Sequence, residues 1–187
     1  MSRILPVRNG WDPSPGDAEF YPDDLPEDWR LTYFANTLDA VALDADVWGH
    51  ADAGRIEQWS RDVPASFAFY LRHDPCAAAV AASAGVQALL GERFGGWILC
   101  SDQDGPGDLL QPAYVLIESV SAAAGSRAAA LACAVPAGID TDLRAARSWL
   151  EGLAAAAQGR PMLALMGGAR FEDVRRWQSL VALLGLG

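Results

Sequence analysis

Lysine is absent: all 14 basic residues are arginine. That excludes a lysine Schiff base and a Walker-type phosphate loop, each of which needs an ammonium group at a fixed place. Arginine still binds carboxylate or phosphate through its planar fork, so anion recognition stays open. Histidine is scarce. With only His50 and His73, a three-histidine metal site is impossible and a two-histidine site needs distant loops to meet. No metal and no cofactor are expected. The three cysteines, Cys76, Cys100 and Cys133, are odd in number and far apart. They lack zinc or thioredoxin spacing and read as buried free thiols of a reducing cytoplasm. No apolar run approaches the roughly 20 residues of a membrane-spanning helix. The start, Met1 to Pro6, lacks the long apolar core of a secretory signal, so the expected location is the cytoplasm. Basic residues are also outnumbered, 14 against 24 acidic, for a net charge of −10. A nucleic-acid partner would need clustered cations and is not expected.

What is present is a chain of 187 residues, 51% hydrophobic and 20% charged, read as one globular domain over residues 1–187. Short apolar runs alternate with helical patterns, the signature of an α/β fold with mainly parallel strands. Strands are expected at Ile4–Val7, Asp39–Leu43, Phe67–Leu71, Gly96–Cys100, Ala128–Val135 and Met162–Met166. Helices are expected at Trp29–Leu38, Arg55–Arg61, Pro75–Leu90, Leu109–Ala124, Asp140–Ala157 and Phe171–Leu184. Asp140 or Thr141 is the expected cap of the fifth helix, and Gly159 its stop. The total is about six strand–helix units on the ~30-residue scale. The alanine runs favour helix and carry no function by themselves.

Three segments carry a resemblance. Gly10-Trp11 is followed by Phe20-Tyr21-Pro22. Leu31, Tyr33, Phe34, Ala35, Leu38, Asp39, Val41, Leu43 and Asp44 keep a fixed order across a helix and a strand. Trp59, Pro64, Phe67, Phe69 and Arg72 then repeat such an order. Together, across residues 10 to 72, these resemble the YecE-like family, domain of unknown function 72. The resemblance implies a TIM barrel, for which about 250 residues are typical. A 187-residue chain therefore implies a truncated or incomplete TIM-like barrel, with a second copy of the chain as one means of closing it. It also implies which positions have changed. Where the family pattern carries Glu and Asn on the second strand, this chain has Ala42 and Asp44. Its third-strand Lys is Arg72, and its later Gln, Glu, Arg and His fall at Ala134, Leu165, Gly167 and Gly168. A polar site has largely been replaced by small and apolar residues.

The strongest remaining constellation lies just after the expected strands, where a parallel sheet collects side chains at one rim. Asp44 and Asp46, two apart, would face one side if the strand continues that far, giving a candidate general base. Arg8 and Arg72 would clamp an anion, with Asn9 and His73 beside them and Asp74 next in sequence. Trp11 and Trp48 also follow strands, and an aromatic pair at the rim would suit a ring-shaped or sugar-like ligand. Trp29, Trp59, Trp149 and Trp177 fall at helical positions and read as packing. No Gly-x-Ser-x-Gly elbow and no Gly-x-Gly-x-x-Gly turn occurs. Gly95-Gly96 and Gly167-Gly168 read as turns, and the run Asp102 to Asp108 as a solvated loop rather than a calcium site. Three function classes follow: a decayed site that keeps small-molecule binding, a hydrolase or lyase using Asp44 or Asp46, and an interaction protein completed by a partner.

Overall fold

A computed structural model describes residues 3–14, 17, 20–73, 77–100 and 112–187. The run Asp102 to Asp108, Asp74, Pro75 and Cys76 lie outside the described residues. In chain order the elements are β1 (Ile4–Asn9), α1 (Arg30–Ala35), β2 (Ala40–Leu43), α2 (Ala45–Gly49), α3 (Ala53–Asp62), β3 (Ala68–Arg72) and α4 (Ala77–Leu90). There follow β4 (Phe94–Leu99), β5 (Ala113–Ile117), α5 (Val120–Ala123), β6 (Leu131–Ala134), α6 (Leu143–Ala157), β7 (Met162–Met166) and α7 (Phe171–Leu183). The seven strands among the described residues are all parallel and pair in sequence order. β7 returns to β1 with Ile4 opposite Met162 and Arg8 opposite Met166, so the sheet closes into a barrel.

The barrel is therefore truncated, seven strands where the TIM barrel has eight, yet the ring needs no second chain to close it. The reason is side-chain size. Barrel diameter falls with strand number, so a seven-strand lumen is narrow. Alternating residues point inward, and many of those are alanine: Ala40 and Ala42 on β2, Ala68 on β3 and Ala132 on β6, packed with Val7, Ile98 and Leu163. Two large residues, Tyr70 and Tyr114, fill the remaining space with rings edge to face at 5.4 Å. A second, larger core lies between the barrel and its helices, and Trp48, Trp97 and Trp177 are fully buried there.

Several expectations need correction. The helix expected over Leu109–Ala124 is, within the described residues, strand β5 and the single turn α5. Tyr114, Val115 and Ile117, with Pro112 just before, are the residue types that favour a strand. The α6 cap is Asp142, whose carboxylate accepts from the backbone N–H of Arg144 and Ala145 at 2.9 and 3.1 Å. Gly95-Gly96 lies inside β4 rather than in a turn, whereas Gly167-Gly168 is a turn. Trp29 is 61% exposed instead of packed. Cys133 is buried and Cys100 exposed, both as free thiols. No helix of the described residues is long and apolar enough to cross a membrane.

The end of the barrel opposite the strand C-termini is tied by hydrogen bonds to main-chain carbonyls. The Ile4 N–H donates to Leu186 at 2.7 Å, and the Arg160 guanidinium donates to the carbonyls of Ala123, Ser126 and Ala157. Inside, burial and the neighbouring Tyr114 raise the pKa of the Tyr70 phenol, and burial pushes the Cys133 thiol up to about 11. Both groups are neutral when protonated. The unfolded chain therefore releases their protons first, at about pH 8.5 for Cys and 10 for Tyr. Their contribution is fully present below those values and is lost as pH rises towards the folded ones. The thermal midpoint should fall steadily above about pH 9, and Tyr70→Phe should flatten part of that fall. A midpoint that stays level from pH 9 to 11 would contradict this account.

Candidate functional site

Strand alternation decides what reaches the barrel mouth. On β1 the inward residues are Leu5, Val7 and Asn9, so Arg8 turns outward. On β2 and β3 the same rule brings Ala42 and Arg72 to the inner face. β5, β6 and β7 add Leu116, Ala134 and Leu165. These side chains surround a cavity of about 130 Å³ at the C-terminal ends of the strands, with Met166 and Gly167 at its edge. That end of a parallel barrel is where ligands bind in this architecture. The volume is on the order of one six-membered ring or about four waters.

The polar part of the mouth is a chain of three groups. Asn9 Nδ2 donates to Asp44 Oδ2 at 2.5 Å, and Arg72 Nε stands 3.1 Å from Asp44 Oδ1 in a half-exposed ion pair. Both carboxylate oxygens are thus engaged from inside the protein. The Arg72 Nε contact lies off the hydrogen-bond line, so Nε has the charge of Asp44 beside it and no hydrogen-bond partner among the described residues. Asn9 Oδ1 is buried with no partner among the described residues.

The other residues singled out from the sequence go elsewhere. Arg8 is 1% exposed and its donors are spent within the protein. It reaches the carbonyls of Ala169 and Gly10 at 2.9 and 2.8 Å, Ser14 Oγ at 2.7 Å and the Asp17 carboxylate at 3.0 Å. Its guanidinium also lies 4.0 Å above the Phe171 ring. Burial lowers the pKa of Arg8, and the Asp17 charge opposes that shift. Asp46 does not share a face with Asp44. The strand stops at Leu43 and α2 begins at Ala45, so Asp46 sits exposed in a helix turn where the two-residue period no longer holds.

Trp48 is buried, with Nε1 donating to the Arg72 carbonyl at 3.0 Å and its ring edge-on to Trp97. Its role is to brace the back of β3. His73 is likewise buried on the outer face, its ring 5.9 Å from that of Trp97. Trp11 packs edge-on against Trp59 at 5.4 Å. It borders a larger open groove of about 650 Å³ beside α2 and α3, where Arg30 is already near Asp12 and Glu27. Of the nine residues named from sequence, Asn9, Asp44 and Arg72 meet at the mouth, and Asp74 lies outside the described residues.

Sequence reasoning misses Leu116 because the apolar run around it reads as helix. It also misses Asp17, which holds Arg8 and accepts from the Phe171 N–H at 3.0 Å. The positions matched to the family pattern fared better, since Ala42, Arg72, Ala134, Leu165 and Gly167 all border the one cavity. Among the described residues, no cluster of three or more His, Cys, Asp or Glu side chains could hold a metal ion.

Comparison with known proteins agrees with this architecture. The model of the protein family of unknown function DUF72 matches residues 8–75. A crystal structure of a DUF72 family protein from Enterococcus faecalis V583 is similar with a TM-score of 0.63 at 11% identity, covering 97% of this chain and 96% of that one. A DUF72 family protein from Thermotoga maritima MSB8 gives a TM-score of 0.56 at 9% identity, covering 96% and 99%. At such identities the likeness concerns the fold alone. None of the curated proteins matches the chain.

Proposed function

We propose that this chain, whose residues 8–75 match the model of the DUF72 family of unknown function, binds a small anionic molecule at the mouth of its barrel. The observation that carries this reading is Arg72, a cation on the wall of an otherwise largely aliphatic cavity. Asp44 stands at its Nε, and in this reading the terminal nitrogens take the ligand. An arginine fork binds a carboxylate with two parallel bonds, and apolar walls strengthen such a contact by excluding water. Leu116 and Leu165 would pack against the body of the ligand.

The proposal treats the mouth as the remnant of a more polar site. The family pattern that the sequence resembles has Glu, Gln, Glu and Arg where Ala42, Ala134, Leu165 and Gly167 border the cavity. A general-base reading is less well supported. Asp46 stands apart, and Asp44 already accepts from Asn9 and pairs with Arg72. The test is a titration of the full chain with propionate, followed through the methyl resonances of Leu116 and Leu165. Saturable shifts are expected, weakened about tenfold or more by Arg72→Gln. No saturable shift, or an unchanged affinity in the variant, would set the proposal aside.

A further inference from the structure

We infer that the ligand of the mouth is a hydroxy acid, a molecule carrying a carboxylate and, close to it, a neutral hydroxyl donor. The inference rests on the anion reading above and asks what else the same cavity demands. Asn9 is the second polar side chain on its wall. Its amide cannot turn freely, because Nδ2 is held by Asp44 at 2.5 Å. A flipped amide would set its oxygen against a carboxylate, so the orientation is fixed by charge. Oδ1 is then left buried and without a partner among the described residues.

A buried acceptor without a donor is costly, and a ligand that supplies the donor recovers that cost. The cavity thus asks for an acceptor at Arg72 and a donor at Asn9. An ammonium would also donate, but it would bring a second positive charge beside Arg72. Asp44 has both oxygens engaged already. A hydroxyl meets the demand without that repulsion. The space of about 130 Å³ limits the molecule to a short chain or a single ring.

Three probes of one carbon skeleton separate these terms: propionate, lactate and alanine. Titrated into the wild-type chain, lactate should bind about tenfold more tightly than propionate and more tightly than alanine. In Asn9→Ala the gap between lactate and propionate should close, while propionate binding persists. Equal affinities in the wild type would overturn the hydroxyl requirement and leave the anion reading standing. Alanine binding best would overturn the neutral donor, and a gap that survives Asn9→Ala would remove Asn9 from the argument. If none of the three binds, both the inference and the reading beneath it fail. The comparison in the wild type holds whether or not the variant folds.

Discussion

Replacing Arg8 with leucine is expected to destabilise the fold by about 3–5 kcal/mol, the usual cost of breaking one side of a buried ion pair. That is a large part of the roughly 5–15 kcal/mol typical of a natural domain. Arg8 and Asp17 are both shielded from solvent. With the guanidinium gone, the Asp17 carboxylate would keep, among the described residues, the N–H groups of Ser14 and Phe171, and its charge would lose its buried counter-ion. The pair also joins distant parts of the rim, because Asp17 sits in the loop after β1 and Phe171 opens α7. Asp17→Asn should cost less, since an amide oxygen can still accept from the Phe171 N–H. The double substitution should then cost less than the sum of the singles, as groups in one network are coupled. Denaturant unfolding measures all three. A loss below about 1 kcal/mol for Arg8→Leu would mean that the pair contributes little. The same experiment separates bracing from binding, because a ligand clamp would lose affinity with little change in stability.

Arg8 also marks the limit of what the sequence makes legible. Its position at a strand end is plain, but its direction depends on which face of β1 is inner, and that is set by Val7 packing in the lumen while Arg8 meets Asp17 and Phe171 outside it. One residue on, Asn9 faces the lumen by the same rule. The parallel α/β class and most helices are legible because hydrophobic periodicity is a local signal, and the barrel is legible through the resemblance carried by residues 10 to 72. β5 is not, since an apolar run of that length fits helix or strand until its neighbours are known. Asp46 failed for a related reason: the change from strand to helix between Leu43 and Ala45 leaves no proline or glycine mark. The alanines of β2 and β6 looked like composition, and their role appears only when seven strands must close around a narrow lumen.

The glycines of β4 carry the second large effect. Gly96→Ala is expected to cost roughly 2–5 kcal/mol, from backbone strain together with overpacking. Gly96 has φ +145, a conformation that side chains rarely adopt, and a Cβ there would lie 2.9 Å from the Pro112 carbonyl oxygen. That oxygen cannot withdraw cheaply, because it accepts from the Trp97 N–H at 2.8 Å. Gly95→Ala meets a different obstacle, the Tyr70 ring at 2.8 Å. The two variants should therefore respond differently to a second change. Tyr70→Leu should restore part of the stability lost in Gly95→Ala and none of that lost in Gly96→Ala. Gly138 supplies the control, with φ +87 and no atom within 4 Å of its ideal Cβ. Gly138→Ala should cost only the left-handed penalty of about 1–2 kcal/mol. If Gly96→Ala costs no more than Gly138→Ala, the close approach of β4 to Pro112 is not a constraint. The larger loss would tie β4 to the mouth, because this strand places Ile98 opposite Arg72. Any shift forced at Gly96 would then reach the guanidinium that the anion reading depends on.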